Sequence, residues 1–151
     1  MLKLLNARDS INDLEEVMDL IYFEWGHYFR SSKETKLNKI KNSIENNLDY
    51  PQVYIMKEDN NVIGTFTIKD KDLDNCELSP WLACVIVKPE YRKQGYGRKL
   101  LHYIEEICNM YYPKIYLTTG LVGYYEKINF EYVESIAHHG SIDRLYIREI
   151  K

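Results

Sequence analysis

Residues 85–101, VIVKPEYRKQGYGRKLL, constrain what this chain can fold into more than any other stretch. An apolar run ends at Val87, Pro89 breaks it, and a basic turn containing Gly95 and Gly97 leads straight into a helical pattern. Beyond Gly97 the apolar residues Leu100, Leu101, Ile104, Ile107 and Cys108 recur at helical spacing, which puts the turn at a helix N-terminus. The first backbone N–H groups of a helix lack intrahelical partners, and the helix dipole favours negative charge there. Gly95 and Gly97 let the backbone approach a ligand closely, while Lys88, Arg92, Lys93, Arg98 and Lys99 surround it with cations. The residues alone predict an anion cradle suited to a phosphate or pyrophosphate.

Other phosphate loops fit this turn less well. A dinucleotide fingerprint needs a third glycine where Leu100 stands, and a Walker-type loop needs Gly-Lys-Ser/Thr where the chain has Gly97-Arg98-Lys99. The hexapeptide Arg92-Lys93-Gln94-Gly95-Tyr96-Gly97 instead resembles the Arg/Gln-x-x-Gly-x-Gly/Ala signature of the GNAT N-acetyltransferases, and its lead-in from Val87 to Arg92 is similar too. The resemblance implies that Arg92, Lys93, Gln94, Gly95, Tyr96, Gly97, Arg98 and Lys99 hold the pyrophosphate of acetyl-CoA. It also implies that backbone groups of Val85, Ile86 and Val87 bond the pantetheine arm and supply the oxyanion donor. The plainer alternative is a basic turn that merely caps a surface helix.

The remaining elements follow from periodicity. A helix is expected through Leu14, Val17, Met18, Ile21, Tyr22 and Trp25 behind a Ser10/Asp13 capping box, and a second over 33–48 behind Ser31 and Glu34. Residues 51–57 and 62–68 read as a hairpin around Asp59-Asn60-Asn61, and 78–87 as a continuous apolar strand covered on both faces. Residues 114–119 form the next strand, parallel to 78–87 through a right-handed crossover. A short helix over 122–128 and a closing antiparallel pair, 131–136 and 142–150, complete the order. The fold class expected is α/β: a mixed sheet, mostly antiparallel with one parallel central pair, flanked by helices on both faces. That order is similar to the GNAT order over essentially the whole chain, so 1–151 reads as a single domain.

The catalytic expectations rest on the same resemblance. Tyr124-Tyr125-Glu126-Lys127-Ile128-Asn129-Phe130 resembles the family's Phe-Tyr-Glu-Lys-x-Gly-Phe segment and places Tyr125 on its catalytic tyrosine. A phenol with a pKa of about 10 stays protonated at neutral pH and can donate to a departing thiolate. With 14 tyrosines in the chain, only this segment match singles Tyr125 out. Asn129 replaces the usual glycine, but asparagine tolerates the left-handed conformation such a turn requires.

The base is less defined. The register that holds a glutamate in many relatives falls on Trp81, which cannot accept a proton, and Glu77 four residues earlier is a tentative substitute. His27, His138 and His139 have suitable chemistry, and water is the remaining acceptor. Ser79-Pro80-Trp81-Leu82-Ala83 resembles a GNAT subgroup whose central strand begins Pro-Trp-Leu-Ala, which makes Trp81 a lining residue of the acceptor pocket. Trp25 and His27, in an aromatic helix end, are further acceptor-site candidates by the same resemblance; packing under a helix corner is the structural alternative.

Charge and composition narrow the partners. Residues 88–99 carry a net +4 inside a chain of net −3, so the remainder is −7. One compact basic island suits a small polyanion and argues against nucleic acid, which calls for a broader basic face. The acidic remainder leans weakly toward a cationic acceptor. The acceptor expected is a small-molecule primary amine or a protein amine. Cys76, Cys84 and Cys108 are spaced for neither a zinc site nor a disulfide frame, no metal is implied, and Cys84 and Cys108 read as buried thiols. No apolar run reaches the roughly 20 residues that span a bilayer, and a cytoplasmic monomer or homodimer is expected. The rival reading is a coenzyme A-binding regulatory or interaction module without turnover.

Overall fold

The apolar alternation of the hairpin strands decides the layering. In a computed structural model, which describes residues 1–73, 76–138 and 140–150 apart from the His138 side chain, the elements in chain order are β1 (Leu2–Asn6), α1 (Leu14–Trp25), α2 (Lys33–Glu45), β2 (Gln52–Glu58), β3 (Asn61–Lys69), β4 (Trp81–Val87), α3 (Tyr96–Tyr111), β5 (Lys114–Thr119), β6 (Glu131–His138) and β7 (Ser141–Glu149). The strands form one sheet in the order β1-β2-β3-β4-β5-β7-β6. Every neighbouring pair is antiparallel except β4 and β5. Val53 and Ile55 of β2 pack with Leu14, Val17, Ile21, Leu37 and Ile40 beneath α1 and α2. Tyr54 and Met56, one residue out of phase, pack with Leu100, Leu101 and Ile104 of α3 on the opposite face. Burying each of these large side chains contributes roughly 1.5–3 kcal/mol. The α/β architecture expected from the sequence is the one observed.

Several local expectations are corrected. β1 was not foreseen: it is a five-residue edge strand, too short for its alternation to stand out. Ser32, not Ser31, caps α2, its Oγ accepting from Thr35 N at 3.1 Å. Ser10 Oγ does contact the Asp13 carboxylate, but that carboxylate is drawn to Lys57 Nζ at 2.7 Å, and α1 has no side-chain cap. β4 begins three residues later than expected, at Trp81, because Pro80 has no N–H to give to a ladder. Residues 122–128 yield only a 3-10 turn, Tyr125–Ile128. Among the described residues no helix is long and apolar enough to cross a membrane.

Two features of β4 position the site. Thr67 pairs with Ala83 and Thr65 with Ile86, so β4 carries one residue more than β3 at this point, and Cys84 in the bulge takes φ 55°. Such a bulge bends its strand and increases the local twist. Cys84 packs partly buried against the core beneath α1 and α2, and burial raises its thiol, while Cys108 is fully buried and its thiol is pushed up to about 12. The second feature is that β4 and β5 share a single bridge, Trp81 with Tyr116, with Tyr116 N donating to Pro80 O at 3.0 Å. Beyond it the two parallel strands separate.

Gly64 of β3 sits against this bent segment. A Cβ there would lie 2.8 Å from the Ile86 carbonyl oxygen and 3.5 Å from the Leu100 side chain. Gly64→Ala is therefore expected to push β4 outward and destabilise the protein by about 1–3 kcal/mol. A lowered thermal midpoint, roughly 2–4 °C per kcal/mol for a chain of this size, is the check.

Candidate active site

The basic turn lies at the N-terminus of α3, as its sequence predicts. Gly95, at φ 88°, is the N-cap of α3 and contributes no side-chain cap, so the first amides of that 16-residue helix point outward without an internal acceptor. Lys93 also takes a left-handed conformation, at φ 63°. The turn is braced from outside: Arg92 Nε donates to Val87 O at 3.0 Å, and Gln94 Nε2 donates to Glu90 O at 3.1 Å. Glu24 at the end of α1 stands 3.9 Å from the Arg92 guanidinium. Arg92 and Gln94 thus shape the loop, while exposed Lys93, Arg98 and Lys99 remain around it. At Gly97 a Cβ would come 3.4 Å from Tyr124 Oη, and that hydroxyl donates to Gly97 O at 3.4 Å.

Two cavities flank the opening between β4 and β5. A cleft of about 300 Å³ runs beside the cradle between Glu24, Trp25, Val85, Ile86, Val87, Arg92, Lys93, Gly97, Leu100, Leu121, Tyr124 and Tyr125. On the other side a larger cavity, about 950 Å³, extends from Trp25 and Phe29 across Ala83, Cys84 and Val85 to Thr118, Thr119, Gly120 and Asp143. Trp25, Val85, Leu121 and Tyr125 wall both. A groove of about 800 Å³ lined by Tyr50, Tyr54, Tyr111 and Tyr112 opens at the start of β5 and shares no wall residue with them.

Tyr125 stands between the two cavities, held by a rigid turn. Asn129 closes the turn at φ 72°, Asn129 N donates to Glu126 O at 3.1 Å, and Phe130 N donates to Tyr125 O at 3.3 Å. Glu126 Oε2 accepts from Gly123 N at 3.0 Å and from Tyr146 Oη of β7 at 2.9 Å. Buried Arg148 donates from Nε to Ile128 O at 2.8 Å and from Nη2 to Asn109 Oδ1 at 2.5 Å, tying the turn to β7 and α3. The Tyr125 ring meets Tyr124 edge-on at 5.0 Å and Phe130 at 6.0 Å. Burial raises its phenol above the ordinary tyrosine value, with the neighbouring Tyr124 adding to the effect. The hydroxyl therefore keeps its proton throughout the physiological range.

The other sequence candidates divide. Trp25 stands where both cavities meet. His27 lies exposed in a 3-10 turn, its ring 4.0 Å from Tyr28, and walls neither cavity. Trp81, expected as a lining residue, is instead fully buried; its indole N–H donates to Leu78 O at 2.6 Å and its ring packs 5.4 Å from Tyr116. The side chain of Glu77 is fully exposed, 3.7 Å from Lys71 Nζ, and walls neither cavity, which removes it from direct proton abstraction. His139 and the His138 side chain lie outside the described residues. Sequence reading missed Glu24 and Tyr124, each adjacent to a residue it named, and Lys36, Lys69 and Asp72, which carry no motif. Among the described residues no group of three or more His, Cys, Asp or Glu is arranged to hold a metal.

Comparison with known proteins gives the same direction. The family model for the acetyltransferase (GNAT) domain matches residues 49–132, which include β4, the cradle and the Tyr125 turn. The chain belongs to the GNAT acetyltransferase family. Solved GNAT-fold structures are similar in shape at low identity. A spermidine N-acetyltransferase chimera from Vibrio cholerae is 17% identical with a TM-score of 0.72, over 98% of this chain and 95% of that one. The Salmonella typhimurium protein yncA, solved with its cofactor acetyl-CoA, is 13% identical with a TM-score of 0.70, over 99% and 94%. An aminoglycoside 6'-N-acetyltransferase complexed with coenzyme A is 14% identical with a TM-score of 0.70, over 98% and 96%. No curated protein matches the chain in sequence.

Proposed function

We propose that this single GNAT domain transfers the acetyl group of acetyl-CoA to a primary amine, with Tyr125 as the general acid. The observation that carries the reading is the place of Tyr125, on the shared wall of the cleft beside the cradle and the larger cavity beyond it. The cradle fits a diphosphate because unpartnered α3 amides, a Cβ-free surface at Gly97 and three exposed cations converge there. That acetyl-CoA and coenzyme A are bound by the fold relatives supports the same ligand here. Acetyl-CoA supplies the acyl group already activated as a thioester.

The chain's own residues then have distinct tasks. Amides of residues 94–99 with Lys93, Arg98 and Lys99 hold the diphosphate, and backbone groups of Val85, Ile86 and Val87 align the extended arm. A backbone N–H in that segment stabilises the charge that develops on the carbonyl oxygen. Tyr125 Oη holds a proton for the leaving thiolate and regains one from solvent. The amine arrives as the free base from the larger cavity, forms the new N–C bond as the C–S bond breaks, and loses its proton to water there. The Pro80-Trp81-Leu82-Ala83 opening of β4 supports placing the chain in the Pro-Trp-Leu-Ala subgroup.

Release of free thiol from acetyl-CoA across a panel of primary amines tests the proposal. At least one amine is expected to accelerate release well above the hydrolytic background. A second reading, a coenzyme A-binding module without turnover, draws on one observation: the expected base register holds fully buried Trp81. Tight cofactor binding with no release on any amine is the outcome that favours it.

A further inference from the structure

The wall of the larger cavity carries a charge pattern that the chain's overall acidity hides. Its charged side chains are Arg30, Lys36, Lys69, Asp72 and Asp143. Lys69 Nζ and Asp72 Oδ1 form a pair at 2.8 Å, both largely buried, and Thr118 Oγ1 stands 3.4 Å from the same carboxylate, so that pair is internally balanced. Lys36 differs. It projects from α2 with its ammonium 4.4 Å above the Phe29 ring and has no carboxylate partner among the described residues. Lys33 of the same helix meets Asp19, and Lys39 and Lys41, which form no ion pair among the described residues, are exposed, whereas Lys36 is half-buried.

An aromatic face stabilises a cation without occupying its N–H donors. The three donors of Lys36 therefore remain available to a ligand in the cavity. Burial makes the ammonium costlier to maintain than that of an ordinary lysine, with Lys69 adding to the effect and Asp72 and Cys84 opposing it, so an arriving anion supplies a partner that the cavity wall lacks. The cavity reaches the reacting end of the site at Val85 and Tyr125. A ligand spanning it can place an amine there and a negative group at Lys36.

Resting on the acetyltransferase reading above, we propose that the acceptor is an amino acid-type molecule, a primary amine that also bears a carboxylate, and that Lys36 is the residue that selects it. One uncompensated positive charge matches a monoanion rather than a phosphate dianion. The same charge disfavours a polycation at that end of the cavity.

The experiment uses matched probes: the ω-amino acids from glycine to 6-aminohexanoate, their carboxamides, and spermidine. Binding to the full chain is measured by calorimetry in the presence of coenzyme A, and turnover by thiol release with acetyl-CoA. At least one ω-amino acid is expected to bind about 10- to 100-fold more tightly than its carboxamide, the size of a charge-assisted hydrogen bond, and to be the better substrate. Lys36→Met should erase the preference, and Lys36→Arg should keep most of it. Equal binding of every acid and its amide, tighter binding of spermidine than of any acid, or an acid preference that survives in Lys36→Met overturns the inference. Selective binding of an acid without thiol release leaves the carboxylate site standing and removes the transferase reading instead.

Discussion

Tyr125→Phe is expected to lower turnover about 100-fold or more while leaving acetyl-CoA affinity within about twofold of the wild type. The substitution removes one oxygen and keeps the ring that meets Tyr124 and Phe130 edge-on, so the fold and the cleft wall survive. What disappears is the proton for the leaving thiolate, and positioned general acids typically contribute 10²–10⁴-fold. Steady-state thiol release beside calorimetric binding makes the comparison. Unchanged turnover would take Tyr125 out of the acid role. The pH profile offers an independent check. Since burial raises the phenol, its protonated form persists above the ordinary tyrosine value, and loss of this acid should produce no alkaline fall in rate below about pH 10.

Gly97→Val is expected to weaken acetyl-CoA binding by at least about tenfold, or roughly 1.4 kcal/mol, by titration calorimetry. Even a Cβ at this position would stand 3.4 Å from Tyr124 Oη, and two further methyl groups have only the cleft to enter. The first turn of α3 also loses a surface along which its amides can be reached. Valine is a better helix former than glycine, so propensity does not oppose the substitution, and a folded variant with impaired binding is the anticipated result. Wild-type affinity would mean that the ligand does not approach α3 at this residue.

Much of this was legible because it is local. The cradle follows from glycines, cations and the onset of a helical period, all within residues 85–101. The turn behind Tyr125 was readable from Asn129, whose side chain permits the left-handed conformation it adopts. The parallel β4–β5 pair followed from the crossover rule. What escaped depends on where separate segments meet. Trp81 reads as a site residue in one dimension, but the ring of Tyr116, from β5, closes over it. The separation of β4 from β5 leaves no trace in either strand's composition, because an apolar strand looks alike whether or not its neighbour stays paired. Lys36 is one lysine among several on an amphipathic helix, and only the fold shows that it overhangs a cavity while Lys33, one turn earlier, faces Asp19.

The single bridge between β4 and β5 gives this sheet an edge in its interior. Sheets ordinarily end at their margins, where a bare row of amides and carbonyls invites any passing strand and has to be blunted. Here the bare row lies inside the sheet, where the cleft and the larger cavity meet along β4. Backbone groups left unpaired by the missing ladder are thereby turned toward a cavity instead of toward the outside, where a neighbouring protein's strand could reach them.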